Sequence, residues 1–134
     1  MAEVGSGPSG QRWMIGSAEN GSLEGERIKA KFVSGFGTGV FGPDGWSRFE
    51  IRTHFVTDDG AALYVAFDGL VELNEKTRAA NELGGSSEFG DHKMSIVLRA
   101  ESGHPKYLWL NHTIFVGEGW FLPEGFEYRV YRLN

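Results

Sequence analysis

The chain has 134 residues, no cysteine, 20 glycines, 13% aromatic residues and a formal net charge of -5. Thiolate chemistry and disulfides are excluded, and scattered Lys and Arg offer no basic stripe for a phosphate backbone, so no nucleic-acid partner is expected. Glycine and aromatics in these amounts suit strands joined by tight turns, and the length suits one domain around one core.

Taken in chain order, residues 1–9 are small, polar and glycine-rich, and are expected to form a flexible segment ahead of a single domain over 10–134. The start lacks a basic, then apolar, signal pattern, and no stretch approaches the roughly 18 apolar residues of a spanning helix. A soluble, cytoplasmic protein without membrane contact is the expectation. Gln11 opens a short strand through Trp13 and Ile15, and Leu23 to Val33 alternates apolar Ile28, Ala30 and Phe32 with charged Arg27, Lys29 and Lys31, the pattern of a strand with one wet face. Gly37-Thr38-Gly39-Val40-Phe41-Gly42 is a literal G-x-G-x-x-G, but Pro43, Asp44 and Gly45 follow instead of a helix. It reads as a glycine-rich strand connection or bulged edge, since a phosphate loop requires the helix.

Asp44 to Leu70 reads as one β-hairpin. Thr57-Asp58-Asp59-Gly60 suits a type I turn closed by a residue with positive φ, which pairs Thr57 with Ala61. The register then sets Glu50 opposite Asp68, Arg52 opposite Ala66 and His54 opposite Tyr64, with Phe49, Ile51, Phe55, Leu63, Val65 and Phe67 on the other face. A slip of one residue would exchange the faces, so the pattern specifies its own pairing.

Asn74 to Leu83 is expected to be a short helix, capped by Asn74 and ended by Gly84-Gly85. Lys93 to Ala100 reads as a buried strand. Lys106 to Gly117 reads as the longest strand, apolar on both faces, with Tyr107, Trp109, Asn111, Thr113 and Phe115 on one of them; such a strand needs cover on both sides, which suggests a homo-oligomer contact along it. Gly117 to Gly125 reads as a turn and Phe126 to Leu133 as the closing strand. The fold class expected is all-β: an antiparallel β-barrel of about eight strands with one short helix.

Several local patterns combine here: Glu24-Gly25, Asp44-Gly45-Trp46, Glu50-x-Arg52, Thr57-Asp58-Asp59-Gly60 with Tyr64 and Gly69, and Pro105-x-Tyr107-x-Trp109-Leu110-Asn111-x-Thr113-x-Phe115-Val116-Gly117. Together they resemble the family called domain of unknown function 3237, over roughly Gly10 to the C-terminus. The resemblance implies a small calycin-like antiparallel barrel, without a settled activity. The family usually carries an Asp-Trp pair where this chain has Gly37-Thr38, and Arg and Asn near Ala66 and Phe67.

Function then depends on where the polar hairpin face points. Facing solvent, Glu50, Arg52, His54, Tyr64 and Asp68 form an ordinary wet face; facing a lumen, they demand a wet cavity or a ligand, because each ion in a dry interior costs several kcal/mol. In such a cavity Glu50 or Asp68 would act as general base, His54 or Tyr64 as proton donor and Arg52 as anion stabiliser. Tyr107, Trp109 and Phe115 would form an aromatic wall, with Asn111 and Thr113 beside them. The reading is a cofactor-independent isomerase, cyclase, lyase or hydrolase acting on a small metabolite by proton transfer. The alternatives are a non-catalytic small-molecule binding barrel and a structural subunit. The four histidines show no close ligand pair, so no metal site is expected.

Overall fold

The computed structural model describes residues 2–6, 12–17, 21–77, 85–123 and 125–133. Among the described residues nine strands run in chain order as β1 (Ala2–Ser6), β2 (Arg12–Ser17), β3 (Ser22–Glu24), β4 (Lys29–Phe41), β5 (Trp46–Thr57), β6 (Ala62–Glu72), β7 (Met94–Glu101), β8 (Phe115–Leu122) and β9 (Gly125–Arg132). All pairings are antiparallel, in the order β1-β2-β4-β5-β6-β7-β8-β9, and β3 pairs with the first residues of β4. The expected all-β barrel is present as a curled, open sheet: among the described residues no ladder joins β1 to β9.

The β5–β6 hairpin has the register its sequence dictates: Glu50 pairs with Asp68, Arg52 with Ala66 and His54 with Tyr64. At its tip the Thr57 amide donates to the Ala61 carbonyl at 2.9 Å, and Gly60 has φ +85°, a backbone region that glycine enters without a Cβ clash. The first five residues of the G-x-G-x-x-G stretch, Gly37 to Phe41, lie in the second half of β4, paired with β2 and β5, and Gly42 follows it. It forms strand, not a phosphate loop.

The apolar face of the hairpin is the inside of the curl. Phe67 on β6 and Tyr128 on β9 have ring centroids 5.4 Å apart although two strands separate them, a span of about 14 Å on a flat sheet. Phe55, Leu63, Val65, Ile96, Leu98 and Ala100 fill this interior. One end is covered by a 3-10 helix, Pro105–His112, through Tyr107 and Leu110. Toward the other, Val71, Met94 and Phe121 form a second cluster, with Leu73 and Phe49 packed on it.

Four expectations are corrected. Lys106–Gly117 is not one strand: Pro105–His112 is the 3-10 helix and β8 starts at Phe115. Pro105 fixes φ, the His104 Nδ1 accepts from the Lys106 amide at 3.2 Å, and the buried pair Tyr107 and Leu110, three apart, suits a helix of three residues per turn. Gly117–Gly125 is not a turn but mostly β8. A Cβ on Gly119 would lie 2.6 Å from the Tyr128 ring and 2.9 Å from the Met94 sulfur, so this glycine leaves room for its neighbours rather than for a bend.

Leu23–Val33 is split between β3 and β4 by a turn in which the Gly25 amide donates to the Ile28 carbonyl at 2.8 Å. Ala2–Ser6, expected to be unpaired, forms β1 against β2. Of the helix expected over Asn74–Leu83, residues 75–77 form a helical turn capped by Asn74, whose Oδ1 accepts from the Thr77 amide at 3.0 Å. Residues 78–84 lie outside the described residues.

Candidate functional site on the outward sheet face

Because the apolar side chains of the hairpin fill the interior, alternation turns Glu50, Arg52, His54, Tyr64 and Asp68 outward. They do not point into a lumen, which corrects the catalytic placement considered above. Glu50, Tyr64 and Asp68 are exposed and Arg52 and His54 half-exposed. Arg52 donates to Asp68 Oδ1 at 3.1 Å, with 35% and 61% of the two side chains accessible. The Asp68 carboxylate is the largest cause holding the Arg52 guanidinium above its ordinary pKa, with burial opposing it.

Two depressions divide this set. Glu50 and Asp68 border a groove of about 1000 Å³ that crosses the outward face from β4 to β9, with Leu70, Val97 and Val116 on its floor and Arg48, Glu118 and Tyr131 around it. His54 and Tyr64 border a smaller, open recess of about 640 Å³ with Glu101 and Asn111. A groove on the outer side is consistent with sheet twist: a twisted sheet is saddle-shaped, and the side convex across its strands is hollow along a diagonal.

The proposed aromatic wall is not one surface. Tyr107 is buried, its hydroxyl donating to Asp59 Oδ1 at 2.8 Å. Trp109 is half-buried, with the Arg27 guanidinium 4.0 Å from its ring centre and Phe115 6.2 Å away. The Asn111 side chain accepts from the Ser102 amide at 2.8 Å and donates to the Ser102 carbonyl at 2.9 Å, and the Thr113 hydroxyl donates to the Trp109 carbonyl at 2.6 Å. Tyr107, Trp109 and Asn111 tie the 3-10 helix to neighbouring elements, Thr113 closes its C-terminal end, Phe115 packs on Trp109, and Asn111 also borders the smaller recess.

Tyr107 and Lys106 meet Thr57 on one carboxylate, Asp59. Hydrogen bonds from Thr57, then Tyr107, then Lys106 hold that group well below the usual carboxylate range. Sequence reasoning passed over the groove floor. The available signal was an apolar residue in the polar phase of a strand: Val97 lies between Ser95 and Arg99 and is 53% exposed.

A curled antiparallel sheet with a packed interior and an amphipathic outer groove defines a small barrel-like protein of the all-β class. The chain belongs to the family described as Protein of unknown function (DUF3237), whose pattern matches residues 1–133. A UPF0311 protein of Rhodopseudomonas palustris strain TIE-1 is 32% identical over 103 residues, 72% of this chain; the chain spans 64% of that relative's length. UPF0311 protein CA_C3321 of Clostridium acetobutylicum is 25% identical over 86% of this chain and 73% of its own.

Among solved structures, the conserved protein RPA1785 of Rhodopseudomonas palustris superposes with a TM-score of 0.89 at 23% identity, covering 98% of this chain and 86% of its own. The β-barrel-like protein ABAYE2633 of Acinetobacter baumannii AYE gives 0.81 at 25% identity, over 99% and 85%. Among the described residues no helix is long and apolar enough to cross a membrane.

Proposed function

We propose that this chain is a small-molecule-binding barrel whose site is the outward groove between β4 and β9. The observation that supports this reading is the groove's mixed lining: an apolar floor of Leu70, Val97 and Val116 bordered by the carboxylates of Glu50 and Asp68, with the Arg52 guanidinium on Asp68. Sites for small metabolites combine an apolar bed with a few directional polar groups. A ligand with a flat apolar body and a carboxylate or carbonyl fits it. The body lies on the valines, and the oxygen competes with Asp68 for Arg52.

Acid-base turnover is the second reading, favoured by Glu50 and Asp68 standing directly opposite each other. Both are exposed in the single chain, and carboxylates in bulk water lack the dry, preorganised surroundings that make such groups effective. Binding is therefore the reading better supported by one copy of the chain.

The test is amide chemical-shift mapping with 2-naphthoate as probe. Saturable shifts at Asp68, Val97 and Val116, weakened on the order of tenfold in Arg52→Ala, are the expected result. Shifts confined to Tyr107 and Trp109, or no shifts at millimolar probe, would overturn it.

A further inference from the structure

We infer that a second copy of this chain covers the outward face of β4–β9 and roofs the groove, turning an open trough into an enclosed two-fold cavity. The inference rests on the binding reading for its purpose but on separate observations for its geometry. The first is exposed apolar surface in one place: Leu70, Val97 and Tyr131 are 45%, 53% and 55% accessible and border one groove. Phe36, 56% accessible, lies on the same face but apart from the groove, on β4 beside Arg52. Contiguous apolar surface of this kind marks a contact on a soluble chain.

Charge selects the partner. The chain carries a net charge of -5, so two copies repel on average. This face carries both signs: Glu50 stands opposite Asp68, Arg52 and Arg99 flank Ala66 in the next row, and Arg129 stands opposite Glu118. An isologous contact lays a patch on itself. A patch of mixed sign meets its own copy with opposite charges in reach, whereas a strongly basic or acidic partner would find as many repulsions as attractions.

Extent agrees. Six strands at ~4.8 Å spacing and about eight residues at ~3.3 Å rise cover roughly 750 Å², close to the ~800 Å² per partner of a stable interface. Roofing also supplies what the single chain lacks. It surrounds a ligand from both sides while leaving water beside Glu50, Arg52 and Asp68, so the groove is enclosed only in the pair.

Light scattering after size exclusion, with the full chain at about 50 μM, tests this. The wild type is expected at twice the chain mass, Val97→Lys at the mass of one chain with an unchanged circular dichroism spectrum, and Leu108→Lys, an exposed position on the 3-10 helix, still paired. If Val97→Lys fails to fold, Tyr131→Lys is read in its place with the same expectation. A wild type with the mass of one chain overturns the inference. So does a pair that survives Val97→Lys, or survives Tyr131→Lys where that variant stands in; if Leu108→Lys splits that pair, the contact is assigned to the 105–117 segment. The two readings separate cleanly: a Val97-dependent pair with no 2-naphthoate shifts keeps the second copy and discards the ligand, and shifts in a single-chain wild type do the reverse.

Discussion

The two faces of the β5–β6 hairpin come from the same twenty-odd residues and behave as different materials. The inner face, with Leu63 and Val65 each 1% exposed, is set by packing. The outer face, with Asp68 61% accessible in its pair with Arg52, is set by water and by whatever covers it. The difference teaches that alternation alone fixes which residues share a side, while the long-range curl of the sheet decides which side is inside.

The sharpest way to break this contrast is Leu63→Ala. Loss of a fully buried side chain leaves a cavity, and a decrease of about 2–5 kcal/mol in unfolding free energy is expected by urea denaturation. A smaller effect would mean that the interior relaxes more than its packing implies. Next comes Gly69→Ala, where a new Cβ would meet the Phe49 ring and lie 2.7 Å from the Ser95 carbonyl oxygen. Backbone cannot yield as a side-chain tip can, so a cost of about 1–3 kcal/mol is expected from the same measurement.

The hairpin tip lies between the extremes. The Asp59 carboxyl is held below its ordinary pKa by Thr57, Tyr107 and Lys106, so its contribution is present above the unfolded-state value near 4 and is lost as the pH falls. Asp59→Asn is expected to lower Tm at pH 7, with the gap to wild type narrowing as scans move from pH 5 to pH 2. A gap independent of pH would assign the loss to geometry rather than charge. The smallest effect belongs to the outer face: Arg52→Met should change stability by no more than about 0.5 kcal/mol, while weakening the 2-naphthoate shifts at Val97 on the order of tenfold. Equal losses in both would show that the outer face is structural.

Legibility in the sequence follows the range of the forces involved. The hairpin register, the positive φ of Gly60 and the Asn74 cap were readable because turn chemistry and period-two alternation act between near neighbours. The 3-10 helix was not, because Tyr107, Trp109 and Phe115 also satisfy a period of two, and the burial of Tyr107 and Leu110 in the core adds the threefold spacing to the local signals of Pro105 and His104. Gly117 and Gly119 were read as turn because the side chains that require their smallness, Ile96, Met94 and Tyr128, come from other strands. For the site, Glu50, Arg52 and Asp68 were identifiable as a cluster. The direction in which they point, and the apolar floor between them, depended on the Phe67–Tyr128 contact, which spans 61 residues of chain that no local pattern connects.

Asp59 has one more consequence. It joins the hairpin tip to a helix 48 residues later in the chain, so neither piece can open without breaking the shared carboxylate contacts. The amides of Gly60 and Ala61 are therefore expected to exchange with deuterium in step with those of Tyr107 and Leu110, as one cooperative unit, and cutting the Tyr107 hydroxyl with Tyr107→Phe should let the two regions exchange at separate rates.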